Sequence, residues 1–212
     1  MSRDQLVTDW VASRFPNQSV EITPASADAS FRRYFRLTWP EGGTRILMDA
    51  PPDKEDCKPF IHVAGLLAKA GLAAPHVVDQ DLVNGFLVLT DLGRIGYLDA
   101  LNADLSLADT LMRPVLDVLV KWQLSSRAST LPPYDATLLR RELDLFPEWF
   151  VGRHLGYELS GDEKVMLDRI FRFLINSALN QPKVFTHRDF MPRNLMVVAT
   201  QATLTPGIID FP

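Results

Sequence analysis

The chain has 212 residues, of which 22 are lysine or arginine and 26 are aspartate or glutamate, giving a formal charge of −4. This composition is typical of a folded globular protein and excludes a disordered tail, a collagen-like repeat and a disulfide scaffold. The single cysteine, Cys57, has no partner in the chain for a disulfide bond and fits a reducing compartment. The mild acidity argues against a general nucleic-acid-binding protein, which normally carries a basic patch.

The chain also lacks the sequence signals of export or membrane insertion. Its first 15 residues contain no continuous apolar stretch of the kind found in signal peptides. The longest apolar runs, such as 86–89, are far shorter than the roughly 20 residues that cross a bilayer. We therefore expect a cytoplasmic protein that binds neither nucleic acid nor membrane.

The first half of the chain predicts a sheet with one interposed helix. Residues 4–15 place apolar side chains on one face at helical spacing, and Pro16 ends that pattern. Short apolar runs separated by turn residues predict strands, and Glu41-Gly42-Gly43 predicts a hairpin. The predicted strands are 20–23, 34–39, 44–49, 76–79 and 85–89, with a helix over 59–70.

The second half predicts mostly helix. Three long segments carry helical periodicity, and Ser160 with Glu163 forms a capping-box pattern before the last of them. We expect an α+β fold with two lobes, residues 1–90 and 91–212, and a ligand site in the cleft between them. The predicted helices are 107–126, 135–154 and 160–179, followed by short strands over 184–186, 195–198 and 207–209.

Three side chains near the end of the chain have the spacing of a phosphoryl-transfer site. Asp189 and Asn194 share one loop, and Asp210 ends the following predicted hairpin. Phosphoryl transfer uses a carboxylate that accepts the proton of the attacking hydroxyl and oxygen ligands that hold Mg²⁺. The pattern predicts Asp189 as the base and Asn194 and Asp210 as metal ligands, with His187 orienting the loop.

Two other interpretations of these residues remain open. Each residue taken alone is compatible with a structural role, namely a His187–Asp189 pair, a turn cap at Asn194 and a surface carboxylate at Asp210. A transition-metal site is a weaker alternative, because the stretch has a single local histidine and lacks the ligand spacing of such sites.

The stretch 187–194 matches the H-x-D-x-x-x-x-N pattern of the aminoglycoside phosphotransferase and choline kinase group, relatives of protein kinases. Further stretches are similar to bacterial anomeric sugar kinases of peptidoglycan recycling, which phosphorylate N-acetylmuramate and N-acetylglucosamine with ATP. The resemblance covers essentially the whole chain and implies a protein-kinase-like fold with ATP and Mg²⁺ as cofactors. The similar stretches are 26–36, 48–52, 89–93, 139–149 and 187–196.

The resemblance also implies which residues contact nucleotide and acceptor. A turn containing Ser26, Asp28 and Ser30 would cover the phosphates, and Thr90, Asp91 and Leu92 would hold adenine through their backbone. The acceptor, a small amino sugar, would be contacted from one helical segment. Its candidates are Arg140, Arg141, Glu142, Glu148 and Trp149; a charged helix face and a core aromatic are the structural alternative.

Two departures from the kinase pattern keep other functions open. The third strand has no lysine to pair with the phosphates, and the helix over 59–70 has no glutamate to partner one. Arg32 or Arg33 could supply the missing charge, or both could be solvated strand residues. The alternatives to a sugar kinase are therefore a kinase of another small acceptor, such as an aminoglycoside or choline, and a non-catalytic nucleotide-binding pseudokinase.

The end of the chain carries a separate expectation. The chain stops two residues after Asp210, whereas the resemblance implies further C-terminal helices that complete the acceptor pocket. For residues 1–212 alone we expect an incomplete second lobe with exposed apolar surface, low solubility and little activity.

Overall fold

The computed structural model describes residues 2–27, 31–199 and 204–211. The chain divides into two compact units, Met1–Ser125 with Thr186–Pro212, and Ser126–Phe185. The first unit holds helices α1 (Arg3–Arg14), α2 (Cys57–Lys69), α3 (Tyr97–Ala103) and α4 (Ala108–Leu124), and strands β1 (Glu21–Ala27), β2 (Arg33–Thr38), β3 (Thr44–Asp49), β4 (Val77–Asp81), β5 (Phe86–Thr90), β6 (Leu195–Ala199) and β7 (Leu204–Ile208). The second unit holds α5 (Ala136–Leu145), a π-helix (Phe146–His154) and α6 (Gly161–Leu179).

A five-stranded antiparallel sheet forms the centre of the first unit. Its strand order is β1-β2-β3-β5-β4. The turn between β2 and β3 contains Gly42 and Gly43 at φ values of +102° and +98°, which glycine adopts without steric penalty. The β2–β3 hairpin predicted from these glycines is therefore confirmed, and β3 begins and ends where the sequence predicted.

Helix α1 covers one face of this sheet. The Ser2 hydroxyl accepts a hydrogen bond from the Gln5 amide and caps the first turn. One face of the helix packs on alternate residues of the strands, and each fully buried side chain contributes about 1.5–3 kcal/mol. The cluster comprises Val7, Trp10 and Val11 of α1 with Leu37, Leu47, Phe86 and Val88 of the sheet.

A fully buried carboxylate, Asp49, ties α1 to the sheet. Its oxygens accept hydrogen bonds from Arg3 Nε at 2.8 Å and from Arg33 Nη2 at 2.6 Å. We expect Asp49→Ala to lower the free energy of unfolding by about 3 kcal/mol, because it leaves two guanidinium groups without their shared acceptor. Equilibrium urea unfolding would measure this loss. Asp109→Ala is the matched control, because its ion pair with Arg113 is exposed and should change stability by less than about 1 kcal/mol. Equal losses in both variants would contradict the prediction.

Helix α2 and the hairpin of β6 and β7 complete the part of this unit that holds the predicted catalytic residues. The Asp56 carboxylate caps α2, whose buried face includes Phe60, Val63 and Leu67. The chain after α2 bonds to the hairpin, where the Ile208 amide donates to the Ala73 carbonyl at 2.7 Å. The five-stranded sheet, helix α2 and the β6–β7 hairpin therefore belong to one compact unit.

The second unit is helical, with two differences from the sequence prediction. The segment predicted as one helix over 135–154 is α5 followed by the π-helix, because Pro147 has no amide hydrogen for the α-helical bond. Residues 184–186 do not form a strand; the Phe185 amide donates to the Ser126 hydroxyl at 2.6 Å instead. The capping box at Ser160 and Glu163 is confirmed as the start of α6.

Large apolar side chains are exposed on the second unit. They include Phe146, Trp149 and Phe150 on the π-helix and Phe173 on α6, which is 71% exposed. Across the described residues, no helix has both the length and the apolar character that crossing a membrane demands.

Candidate active site

The loop before β6 holds Asn194 in a defined position. Residues Pro192–Asn194 form one turn of 3₁₀-helix, in which the Asn194 amide donates to the Met191 carbonyl at 2.9 Å. Leu195 pairs with Ile208 in the hairpin, and the Ile209 amide donates to the Asn194 carbonyl at 3.1 Å. Asn194 and Asp210, far apart in sequence, are therefore brought to the same end of the hairpin.

The Asn194 side chain is directly bonded to Asp189. It is only 5% exposed, and its Nδ2 donates to both the carbonyl and the carboxylate Oδ2 of Asp189, at 3.0 Å each. Both bonds use the amide nitrogen, so the amide oxygen takes part in neither. An asparagine in this orientation presents an oxygen, which is the ligand type that Mg²⁺ prefers.

Asp210 lies two residues after the end of β7 and has an unusual backbone conformation. Its φ is +56°, in the left-handed region that aspartate and asparagine tolerate better than most residues. The residue is exposed, whereas its neighbour Phe211 is 1% exposed. This alternation directs residue 210 to the surface while residue 211 is anchored in the interior.

His187 connects the loop to the end of the hairpin. Its Nε2 lies 3.1 Å from the Ile209 carbonyl, and because a carbonyl oxygen can only accept, the ring donates this hydrogen bond. Burial lowers the pKa of His187, opposed by the bond to Ile209 and by the negative charges of Asp210 and Asp189. Asp189 and Asp210 therefore both lie close enough to His187 for their charges to influence its pKa. The predicted orienting role of His187 agrees with this geometry.

The two predicted metal ligands, Asn194 and Asp210, are an amide and a carboxylate. Across residues 2–27, 31–199 and 204–211, no group of three or more His, Cys, Asp or Glu side chains is arranged to hold a metal ion. As ligands, Asn194 and Asp210 would each offer an oxygen atom, which suits a hard cation such as Mg²⁺ better than a transition metal.

Phe211 links Asp210 to helix α2. Its ring stacks on Phe60 with centroids 4.7 Å apart and an interplanar angle of 19°. Phe60 is itself 3% exposed, so the two rings fill one part of the core. The position of Asp210 therefore depends on a packing contact with a helix distant in sequence.

We expect Phe60→Leu to lower the free energy of unfolding by about 1–2 kcal/mol, because the leucine keeps apolar volume but loses the ring stack. Urea unfolding would measure the loss. Phe173→Leu is the matched control, because that ring is 71% exposed and its replacement should change stability by less than about 0.5 kcal/mol. An unchanged midpoint for Phe60→Leu would show that the stack is unimportant.

The predicted nucleotide residues lie in the first unit. Asp28 and Ser30 lie outside the described residues, while Ser26 pairs with Tyr34 through the backbone of β1 and β2. Thr90 ends β5, and its amide donates to the His76 carbonyl at 3.0 Å. Leu92 lies against the hairpin, because a Cβ atom built on Gly207 would meet its Cδ1 at 3.0 Å.

The two arginines considered as replacements for the missing lysine are both in ion pairs. Arg32 Nε lies 3.2 Å from Glu55 Oε2, just before α2, and both side chains are largely buried. Arg33 is bonded to Asp49 and Asp4. Arg33 is therefore part of the α1 attachment, whereas Arg32 adjoins the segment that leads into α2.

The predicted acceptor residues lie in the second unit. Arg140 pairs with Asp144 and Asp168, and the Tyr134 hydroxyl donates to Glu142, which matches the charged-face alternative. Arg141 is exposed. Glu148 pairs with Arg153, whose guanidinium lies 3.8 Å above the half-exposed ring of Trp149.

Comparisons with known proteins identify the family of this chain. The model of a phosphotransferase enzyme family matches residues 21–212. A protein of Pseudomonas aeruginosa named N-acetylmuramate/N-acetylglucosamine kinase is 50% identical over 99% of this chain and 63% of its own length. A protein of the same name from Neisseria meningitidis is 38% identical over 100% of the chain and 62% of its own length. The chain thus spans less than two thirds of these relatives.

Solved structures support the predicted fold. A complex of streptomycin and ATP with APH(2″)-IIa matches 100% of the chain with a TM-score of 0.62 at 15% identity. Choline kinase LicA from Streptococcus pneumoniae matches 98% with a TM-score of 0.61 at 12% identity. At these identities the likeness concerns the fold, and it confirms the predicted kinase-like α+β class.

Proposed function

The chain belongs to this phosphotransferase enzyme family, and we propose that it transfers the γ-phosphoryl group of ATP to the anomeric hydroxyl of N-acetylmuramate and N-acetylglucosamine. Relatives that are 50% and 38% identical to it over the aligned regions are named N-acetylmuramate/N-acetylglucosamine kinase, which supports the two acceptors, and the anomeric position is what the resemblance implies. Such an activity salvages amino sugars released from peptidoglycan. The lobes proposed for it remain residues 1–90 for nucleotide and 91–212 for catalysis.

The observation that carries the proposal is the Asn194–Asp189 hydrogen bond at one end of the hairpin that leads to Asp210. Asp189 would accept the proton of the acceptor hydroxyl as that oxygen attacks the γ-phosphorus. Asn194 and Asp210 would hold Mg²⁺, which when bound neutralises charge on the phosphate oxygens. Because Asn194 donates to the Asp189 carboxylate, it also holds the base in a fixed orientation.

The nucleotide would lie along the first unit. The backbone of Thr90, Asp91 and Leu92 would bind adenine, and Ser26, Asp28 and Ser30 would cover the phosphates. Arg32, held by Glu55 at the entry to α2, is our proposal for the group that takes the place of the lysine that β3 lacks. Its counter-ion would then be Glu55, which precedes the helix, in place of a glutamate within α2.

The acceptor would be bound by residues of the second unit. We propose that Trp149 stacks on the pyranose ring with the face opposite Arg153, since aromatic faces pack well on apolar sugar faces. Arg141, Glu142 and Glu148 would contact its polar groups. The amino-sugar class itself rests on the names of the 50% and 38% identical relatives.

A pseudokinase is the second candidate function, favoured by the absence of a lysine on β3. The bonded pair of Asp189 and Asn194 favours catalysis over nucleotide binding alone, because a binding protein needs no oriented base. Acceptors such as aminoglycosides or choline have support from fold likeness at 12–16% identity, which is weaker than support at 50% identity.

Phosphorus-detected product analysis separates these functions. The protein is incubated with ATP, Mg²⁺ and one acceptor: N-acetylmuramate, N-acetylglucosamine, kanamycin or choline. An anomeric phosphate doublet with the two amino sugars supports the proposal. If product forms only with kanamycin or choline, the protein is a kinase of that acceptor and not of amino sugars. If Mg-ATP raises the melting temperature but no reaction gives product, the result supports the pseudokinase.

A further inference from the structure

A buried ion pair holds the segment that follows β5. Arg36 Nε donates to Asp91 Oδ2 at 2.6 Å and Arg36 Nη2 donates to Asp91 Oδ1 at 3.1 Å. The two side chains are 9% and 5% exposed. Planar two-point pairing of this kind fixes orientation as well as distance. The pair therefore attaches residue 91 rigidly to strand β2.

The same two side chains also bind Gly93. Arg36 Nη2 donates to the Gly93 carbonyl at 2.7 Å, and the Gly93 amide donates to Asp91 Oδ1 at 2.9 Å. Gly93 has a φ of +107°, and a Cβ atom there would meet no atom within 4 Å. The glycine is thus needed for its backbone conformation, since there is space for a side chain. Arg36 and Asp91 together impose a specific turn on residues 91–93.

This turn leads from β5 to residues 95 and 96, which contact the hairpin of β6 and β7. The Val197 amide donates to the Ile95 carbonyl at 2.9 Å, and Gly96 forms a bridge with Met196. Leu92 packs at Gly207 of β7. The conformation of residues 91–93 therefore determines how their peptide groups and Leu92 are presented beside the hairpin.

The energetics of buried ion pairs indicate a role beyond stability. A buried pair loses hydration, and replacing one with apolar residues of similar volume is often neutral or stabilising. Arg36 and Asp91 do something that apolar residues could not, because they form hydrogen bonds to both peptide groups of Gly93. An apolar pair in their place would not hold the backbone of residues 91–93 in this conformation.

We propose that Arg36 is a positioning residue for nucleotide binding, which acts by holding the backbone of residues 91–93 in the conformation that receives the base. This inference rests on the proposed function, in which residues 90–92 bind adenine. Arg36 touches no reacting group; its effect passes through Asp91 and Gly93. It should therefore affect the base end of the nucleotide and leave the phosphate end unchanged.

Arg36→Lys tests this role, because lysine keeps the positive charge but lacks the planar fork that reaches two acceptors. We expect its Kd for Mg-ATP, measured by calorimetry, to rise about tenfold. Its Kd for Mg-tripolyphosphate, which has phosphates but no base, should stay within about twofold of that of the unmodified chain. Arg113→Lys, in an exposed ion pair with Asp109, is the matched control and should change neither Kd.

A second variant covers the case in which Arg36→Lys does not fold. The double variant Arg36→Met with Asp91→Leu replaces the pair by apolar side chains and should retain the unfolding midpoint. We expect it to lose affinity for Mg-ATP and to keep its affinity for Mg-tripolyphosphate. A merely structural pair would leave both affinities unchanged in such a folded variant, and that result would overturn the inference.

The other possible results distinguish failure of this inference from failure of the proposed function. Equal weakening of Mg-ATP and Mg-tripolyphosphate would place the effect at the hairpin and overturn the inference while leaving the proposed function intact. Tight binding of tripolyphosphate but no preference for ATP in the unmodified chain would refute base binding by residues 90–92. An unmodified chain that binds neither ligand would overturn the proposed nucleotide site itself.

Discussion

Asp189→Asn is expected to reduce turnover of the amino sugar by about 10³-fold, because general-base catalysis typically contributes 10²–10⁴-fold. The substitution is nearly isosteric and keeps an oxygen that can accept the hydrogen bond from Asn194 Nδ2, so the loop should retain its conformation. It removes the group that takes the proton. A coupled assay for ADP release would measure kcat, and Asp189→Ala should behave alike.

The Kd for Mg-ATP separates loss of the base from loss of the site. It should stay within about twofold in Asp189→Asn, since Asp189 is assigned to the acceptor hydroxyl. Glu41→Gln, an exposed carboxylate in the β2–β3 turn, is the matched control and should keep full activity. If turnover survives in Asp189→Asn, another group is the base and the assignment is wrong.

Local patterns were sufficient for most elements of the fold. Strand β3 was predicted with its observed bounds because the two glycines before it set the hairpin turn. Helix α6 begins where Ser160 and Glu163 predicted it. Helix α3 was missed because it is short and its cap residue, Gly96, provides no side-chain hydrogen bond that a sequence pattern would reveal.

The loop of the candidate site was predictable for the same reason. Asp189 and Asn194 are five positions apart, so spacing and residue type already indicated that they belong together. Asp210 was placed with them by the strand–turn–strand pattern between them. Residues 184–186 are predicted as a strand but form none, and Val184 is 37% exposed, which shows that an apolar run alone does not specify a strand.

Contacts between distant segments could not be predicted from spacing. Phe60 and Phe211 meet only because α2 and the end of the hairpin pack together. Arg36 lies on β2 and Asp91 directly follows β5, and the sheet brings them together although they are 55 positions apart in the sequence. The groups that orient the candidate site are thus harder to predict than the groups assigned to chemistry.

Asp210→Asn is expected to abolish turnover, with a loss of about 10³-fold or more, because the substitution removes the charged ligand of the cation that stabilises the transferred phosphoryl group. Asparagine is the appropriate replacement, since it also tolerates the left-handed φ of +56° at this position. The backbone and the buried Phe211 should therefore stay in place, and the unfolding midpoint should change little.

The two aspartates should differ in nucleotide binding. Asp210→Asn should weaken the Mg²⁺-dependent part of ATP affinity by about tenfold, whereas Asp189→Asn leaves it unchanged, because a charge-assisted contact to a ligand is typically worth 1.5–3 kcal/mol. Titration of ATP with and without Mg²⁺ would measure that part directly. Wild-type Mg²⁺ dependence in Asp210→Asn would remove Asp210 from the metal site. If only Asp189→Asn weakens the Mg²⁺-dependent part of ATP affinity, Asp189 is the metal ligand and Asp210 is the base. That arrangement is geometrically reasonable, since Asn194, the other proposed ligand, is already hydrogen-bonded to Asp189.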